Sequence, residues 1–227
     1  MRVYGNKVRK TILGIRDDVD KICDEYLTKI YVKIKSYINN YPNTNWDKFR
    51  KDILKLYYDC LEEVYVYVSK SLKDLFKNIE PYQIKDIMDL TYQKDGKTLK
   101  ERIDEYLDKS KDKLDSNEKT DDIILYLLTR YTIILTTETR MVEEAVKKNK
   151  KPIVESGNYI IQIIEGCGGE CDGECLDYNG EYPEDEDIPW PPYHPNCTGI
   201  AYYDITDDPD DIHDLDLDES DRDDNDV

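Results

Sequence analysis

Histidine, phenylalanine and tryptophan are nearly missing from this chain, each occurring twice in 227 residues, and methionine occurs three times. Two histidines, His194 and His213, leave little material for a His-based catalytic cluster. Ten glycines and nine prolines are too few for a loop-rich sandwich or barrel and suit exposed helices. A continuous apolar run of the ~20 residues that a membrane span needs is also lacking. The opening stretch MRVYGNKVRKTILGIRDD is basic but has no apolar core of a secretion signal, so residence in the cytoplasm is expected. Thiols stay reduced there, and the six cysteines then read as core residues or metal ligands rather than as a disulfide framework.

Positive charge is in deficit as well. Thirty-two Lys and Arg stand against 51 Asp and Glu, a formal net charge of −19. Residues 204–227 hold thirteen acidic residues and one Arg, a net of −12, leaving −7 for the first 203 residues. An acidic chain repels phosphate, which argues against binding duplex DNA through a basic face. The few apolar residues of 204–227 (Ile205, Ile212, Leu215, Leu217) cannot offset ordering entropy and self-repulsion, so this segment is expected to be a disordered acidic tail.

What the chain has in quantity is tyrosine, twenty residues, and helical periodicity. Tyrosine joins an apolar ring to a polar tip and suits helix faces that are half buried or contact a partner. Val8, Ile12, Ile15, Val19, Ile22, Tyr26, Ile30, Ile34 and Tyr37 recur in steps of three and four, one helical stripe. After the turn-like NNYPNTN a second stripe runs through Phe49, Ile53, Leu56, Cys60, Val64, Val68, Leu72 and Leu75. Two long helices joined by a short polar turn pack as an antiparallel hairpin, with Cys23 and Cys60 as small buried hydrophobes. Pro81 interrupts the pattern. Short helices are expected over 82–92 and 98–114, the latter opened by a capping box of Thr98 and Glu101. A longer helix, started by Thr120 or Asp121, runs from Ile123 towards Val146. Beyond KKNKKP the pattern becomes β-like, with strands expected at 159–164 and 199–205.

The predicted fold is therefore mainly α: a long N-terminal helical hairpin, further helices, a small C-terminal α+β module and the acidic tail. Its expected regions are 1–93, 94–155, 156–203 and 204–227.

Four cysteines fall in the C-terminal module: Cys167, Cys171, Cys175 and Cys197, with His194 three residues before the last. Thiolate and imidazole are the ligands zinc prefers. The order pair, loop, pair (Cys171 and Cys175, then His194 and Cys197) is the sequence form of a structural zinc knuckle. Cys167 allows other sets of four, and unliganded loop thiols are the alternative. A site with four protein ligands is closed to water, so it is structural; a catalytic reading would cast Glu170 or Glu174 as a general base on their acidity alone. No phosphate-binding loop, nucleophile elbow or dinucleotide fingerprint is present.

The segment CLDYNGEYPEDEDIPWPPYHPNCTG resembles the C-terminal signature of the phage Mu F-like head-morphogenesis (minor capsid) proteins. In that family a Cys pair precedes a Leu-Asp-Gly-like turn, a Pro-rich stretch and a His-Pro-Asn-Cys-Arg-Cys motif. Cys175, Leu176, Gly180, Pro191, Pro192, His194, Pro195, Asn196 and Cys197 stand where the pattern has them. DGKTLKERI (95–103) is similar to the family's Gly-to-Arg-Ile helix start, and TTETRMVEEA (136–145) to its Arg-Thr-Glu helix, so the resemblance covers about residues 95–203. Departures are a Cys-x-x-x-Cys spacing with Asp172 inside it, Gly199 in place of the last Cys, and Thr136 in place of the Arg before Thr-Glu.

The resemblance implies a non-catalytic, low-copy virion protein of the phage head, made in the host cytoplasm. It would associate with the portal or major capsid protein during assembly, possess no membrane contact, and be open to homo-oligomer formation. It places Glu138 as a buried polar residue. Two other readings are a regulatory module whose acidic tail mimics nucleic acid against basic proteins, and a zinc-dependent hydrolase or effector. Protein purified without chelator is expected to carry about one zinc per chain by elemental analysis; a folded but metal-free protein would remove the site.

Overall fold

The computed structural model describes residues 5–76, 96–166, 177–193 and 197–208. They form helices α1 (Gly5–Asn39), α2 (Trp46–Leu75), α3 (Leu99–Asp115) and α4 (Thr120–Asn149), then strands β1 (Tyr159–Glu165), β2 (Gly180–Pro183) and β3 (Ile200–Thr206). The helix expected over 82–92 lies outside the described residues, as do Cys167, Cys171, Cys175, His194 and residues 209–227.

α1 and α2 form the expected antiparallel hairpin, tied across by the Tyr67 hydroxyl on Asp18 and by Lys33 on Asp52 at 2.9 Å. In the turn between them Asn45 caps α2, its side chain accepting from the Lys48 N–H at 3.0 Å. α3 opens with the expected capping box: the Thr98 hydroxyl accepts from the Glu101 N–H, and the Glu101 carboxylate accepts from the Thr98 N–H at 2.8 Å. It closes on Asn117 in the left-handed region (φ 59°), with Glu118 N–H on Lys113 O and Asn117 N–H on Leu114 O. This reversal, which asparagine adopts more readily than other non-glycine residues, turns the chain into α4. α4 begins at Thr120 without a side-chain cap.

The three strands form an antiparallel sheet in the order β2-β1-β3. Ile161, Ile163, Ile200 and Tyr202 face the helices. They join one continuous core with residues of all four helices, so the regions expected to divide near 94 and 156 share their buried interior. Ile164, Ala201 and Tyr203 face away and pack with Trp190 in a smaller cluster. Gln162, on that outer face, donates to the carbonyls of Pro183 and Glu186 at 2.7 Å and accepts from the Trp190 indole at 2.8 Å. One buried amide thus fixes β2, the following turn and the aromatic lid.

The first three residues of the segment expected as tail, 204–206, belong instead to β3. Asp204, Ile205 and Thr206 are buried in β3, opposite Ile161, Ile160 and Tyr159. Pairing with β1 satisfies backbone groups that composition alone leaves to water, and the Asp204 carboxylate takes the Ile205 N–H at 2.8 Å.

Tyrosine takes the place that phenylalanine leaves vacant. Tyr57 and Tyr131 are fully buried at the meeting of α2 and α4, with rings edge to face at 6.1 Å. The Tyr57 hydroxyl donates to Tyr131 O at 2.7 Å, and that of Tyr131 to Ile103 O at 3.3 Å, so neither hydroxyl is buried without an acceptor. Other tyrosines reach carboxylates on a helix, Tyr26 from a buried position on Glu63 and the half-buried Tyr37 and Tyr41 on Asp52 and Asp115.

Ile30 has no exposed surface, whereas Val32 two residues on is 59% exposed. Ile30→Ala is expected to cost about 2–5 kcal/mol through lost burial and the cavity left behind, and Val32→Ala less than about 0.5 kcal/mol. Urea unfolding of both variants checks the register of α1; comparable losses would contradict it.

Candidate functional site

Of the four expected zinc ligands only Cys197 lies among the described residues. It is buried, three residues before β3. The described flanks of the other three are held near one another. Glu165, at the end of β1, pairs with Ile200, and Ile164 pairs with Gly180. The ring of Tyr178 stacks on that of Tyr193 at 5.0 Å between centroids. Gly166 N–H reaches the Asn179 side chain at 3.2 Å. Among the described residues no group of three or more His, Cys, Asp or Glu is placed to hold a metal ion, and no helix is long and apolar enough to cross a membrane.

The densest arrangement of functional groups lies directly beneath the chain that leaves Cys197. α4 continues its apolar face beyond Leu135 with charged residues: Glu138, then Glu143, Glu144 and Lys147, all buried. Lys147 lies four and three residues after the two glutamates, so its ammonium reaches both on the same helix face, at 3.1 Å and 2.6 Å. Into this face α1 inserts Arg16. Its Nε donates to Glu143 Oε2 at 2.8 Å and its Nη2 to Glu144 Oε1 at 2.6 Å. The same guanidinium donates to Thr198 O at 3.4 Å and Gly199 O at 3.2 Å. The second oxygen of Glu144 takes the Ala201 N–H at 3.2 Å. Arg140 completes the group, bonding Glu143 Oε2 at 2.9 Å on one side and Asp20 of α1 on the other. With every member ionised, three cations meet three carboxylates.

The two adjacent glutamates differ in proton affinity. Burial raises the Glu143 carboxyl, but the charges of Lys147, Arg16 and Arg140 outweigh burial and hold it well below the usual carboxylate range. For Glu144 burial prevails, with repulsion from Glu143 added, and the carboxyl is raised despite Lys147 and Arg16. Arg16 is held above its usual value, because Glu143 and Glu144 outweigh the burial that opposes its charge. A second buried pair, Arg102 of α3 with Glu138, joins α3 to α4. Glu165 at the end of β1 receives Arg9 from α1 in a two-pronged contact at 2.7 Å and the Tyr202 hydroxyl at 2.9 Å.

Chemically these groups fasten: the carboxylates accept from several donors each, and Arg16 binds carbonyl oxygens of the chain. Arg16, Glu143, Glu144 and Lys147 are not singled out by motif spacing. Their signal is weaker: Glu138 stands three residues after Leu135 on the apolar stripe, and Arg16 stands four after Ile12 and three before Val19. A charge in such a position demands a partner. Comparisons with protein-family models, with curated proteins and with solved structures find no match to this chain.

Glu143→Gln leaves three cations facing one buried carboxylate and the half-exposed Asp20, and is expected to cost about 3–5 kcal/mol at neutral pH. Glu144→Gln is expected to cost less, since the fold already disfavours that ionised form. The two contributions have opposite pH signs. That of Glu143 is complete above the ordinary carboxylate range and lost as pH falls through its lowered value. That of Glu144 is complete below the ordinary range and lost as pH rises through its raised value. Urea midpoints from about pH 3 to 8 should show a shallower acid limb in Glu143→Gln and a smaller decline above about pH 4 in Glu144→Gln. Equal costs throughout would remove the asymmetry.

Proposed function

We propose that this chain is a minor head protein of a tailed bacteriophage, acting in head assembly at or near the portal vertex without a catalytic step of its own. The observation that carries the reading is the convergence of its three resembling segments. They are separate in sequence, yet Arg102 of 95–103 pairs with Glu138 of 136–145, and Glu144 of that second segment holds the backbone of Ala201, four residues beyond Cys197. Arg16 binds Thr198 and Gly199 between them. These polar residues are thereby accounted for as the fastening of one folded unit, which suits a protein that works through its surfaces. Tyr31, Tyr58 and Tyr159 supply exposed amphipathic rings on that unit.

The same reading assigns a structural zinc to Cys171, Cys175, His194 and Cys197. In support, Cys175, His194 and Cys197 each lie within three residues of a described flank, at most about 11 Å of extended chain, and those flanks are joined by the Tyr178–Tyr193 stack and the Glu165–Ile200 pairing. The ion would hold a loop-rich module that has a small core of its own. Portal and major capsid proteins are the proposed partners, and the virion the proposed location.

Quantitative mass spectrometry of purified heads and procapsids tests the assignment. A few to some tens of copies per particle, counted against portal and major capsid protein, is the expected result. Expression in infected cells with absence from both particles would overturn it.

A further inference from the structure

Three helix ends meet at one end of the bundle. The pairs Arg16–Glu143 and Asp20–Arg140 set α1 antiparallel to α4, and Tyr67–Asp18 with Lys33–Asp52 sets α2 antiparallel to α1. The start of α1 therefore lies beside the ends of α2 and α4. Lys7 and Lys10 are exposed in the first turns of α1, Lys70 and Lys73 in the last turns of α2, and Lys150 follows α4. None of these five has an anionic partner among the described residues. Burial and repulsion from Lys73 hold the Lys150 ammonium below its usual value, which places Lys150 beside Lys73. The negative ends of the α2 and α4 dipoles explain a lysine in their last turns. They do not explain Lys7 and Lys10, which stand at the positive end of α1, where the first turn has no acidic residue.

The chain itself delivers the opposite charge to this place. β3 runs alongside α4 towards the C-terminus of the helix: Ala201 meets Glu144, and the Tyr203 hydroxyl meets Lys148 O at 3.0 Å. The Tyr203 ring lies 5.9 Å from the Lys151 ammonium. From Asp208 onward, residues 209–227 contain ten acidic residues and one Arg. Nineteen residues reach at most about 65 Å, enough to cover the end of a bundle whose helices lie about 10 Å apart.

We propose that the acidic segment 209–227 docks in cis on this lysine-rich end, its carboxylates set against Lys7, Lys10, Lys70, Lys73 and Lys150. Tethering makes the local concentration of carboxylate about millimolar without any apolar contact, and the contact is electrostatic, so salt weakens it. It does not depend on the head-protein reading.

Zero-length carbodiimide coupling of the full chain, as an equal mixture of ¹⁴N and ¹⁵N protein, tests this by peptide mass spectrometry. The expected links join Asp or Glu of 210–226 to Lys70, Lys73 and Lys150 within one isotope, several-fold more often than to the exposed Lys111 and Lys119. Lys119 lies about 45 Å away along α4. These links should fall several-fold in about 0.5 M salt and, at the remaining lysines, in the doubly substituted Lys73→Gln, Lys150→Gln protein, whose changes lie at the exposed Lys73 and the part-buried Lys150, outside the apolar core. An even spread over all lysines would overturn the proposal. So would links predominantly between isotopes, which would assign the tail to a second copy.

Discussion

Arg16 is the point at which helices and sheet become one body. A guanidinium and two carboxylates removed from water are costly unless each finds partners in fixed geometry, and loss of any single partner leaves an uncompensated buried charge. Arg16 meets that demand only when α1, α4 and the backbone of Thr198 and Gly199 are all in place. To the close packing of the apolar core this cluster adds a directional constraint. It selects one register of α1 on α4 and one height of β3 above both, and so converts a set of amphipathic helices into a single arrangement.

Around that point the structure repeats one device, a polar tip on a long side chain that finds its acceptor on a different element. Tyr57, Tyr131, Tyr26 and Tyr203 each fill space with a ring and spend the hydroxyl on a neighbouring helix. A phenylalanine-rich core would supply comparable burial with less direction. Gln162 performs the same service within the C-terminal module, where three carbonyls and an indole surround one amide.

The helices are legible in the sequence because their information is local. Spacing of Val8 through Tyr37 or of Phe49 through Leu75 needs no knowledge of a partner, and Thr98 with Glu101 announces its own helix start. β1 and β3 are legible for the same reason, as short β-branched and aromatic runs. β2 is not: GEYP is too short to show a period and ends in proline, and its strand state comes from pairing with β1 and from Gln162. The site divides along the same line. The Cys and His spacing stands out by itself, whereas Arg16 interrupts the apolar stripe of α1 without naming its partner, and Glu143 lies 127 residues away. Asp204 and Ile205 were open to assignment as tail for a related reason, since their burial depends on a strand forty residues earlier.

Among the described residues the sheet has two outer strands, and each carries an obstacle to further pairing. On β3 the Ala201 N–H is taken by Glu144 and the Ile205 N–H by Asp204, so carboxylates already occupy donors that an incoming strand would require. On the other side β2 is four residues long and ends in Pro183, which has no N–H to give. Copies of this protein crowded together can therefore touch through their helices and side chains, while the described edges of the small sheet resist edge-to-edge addition.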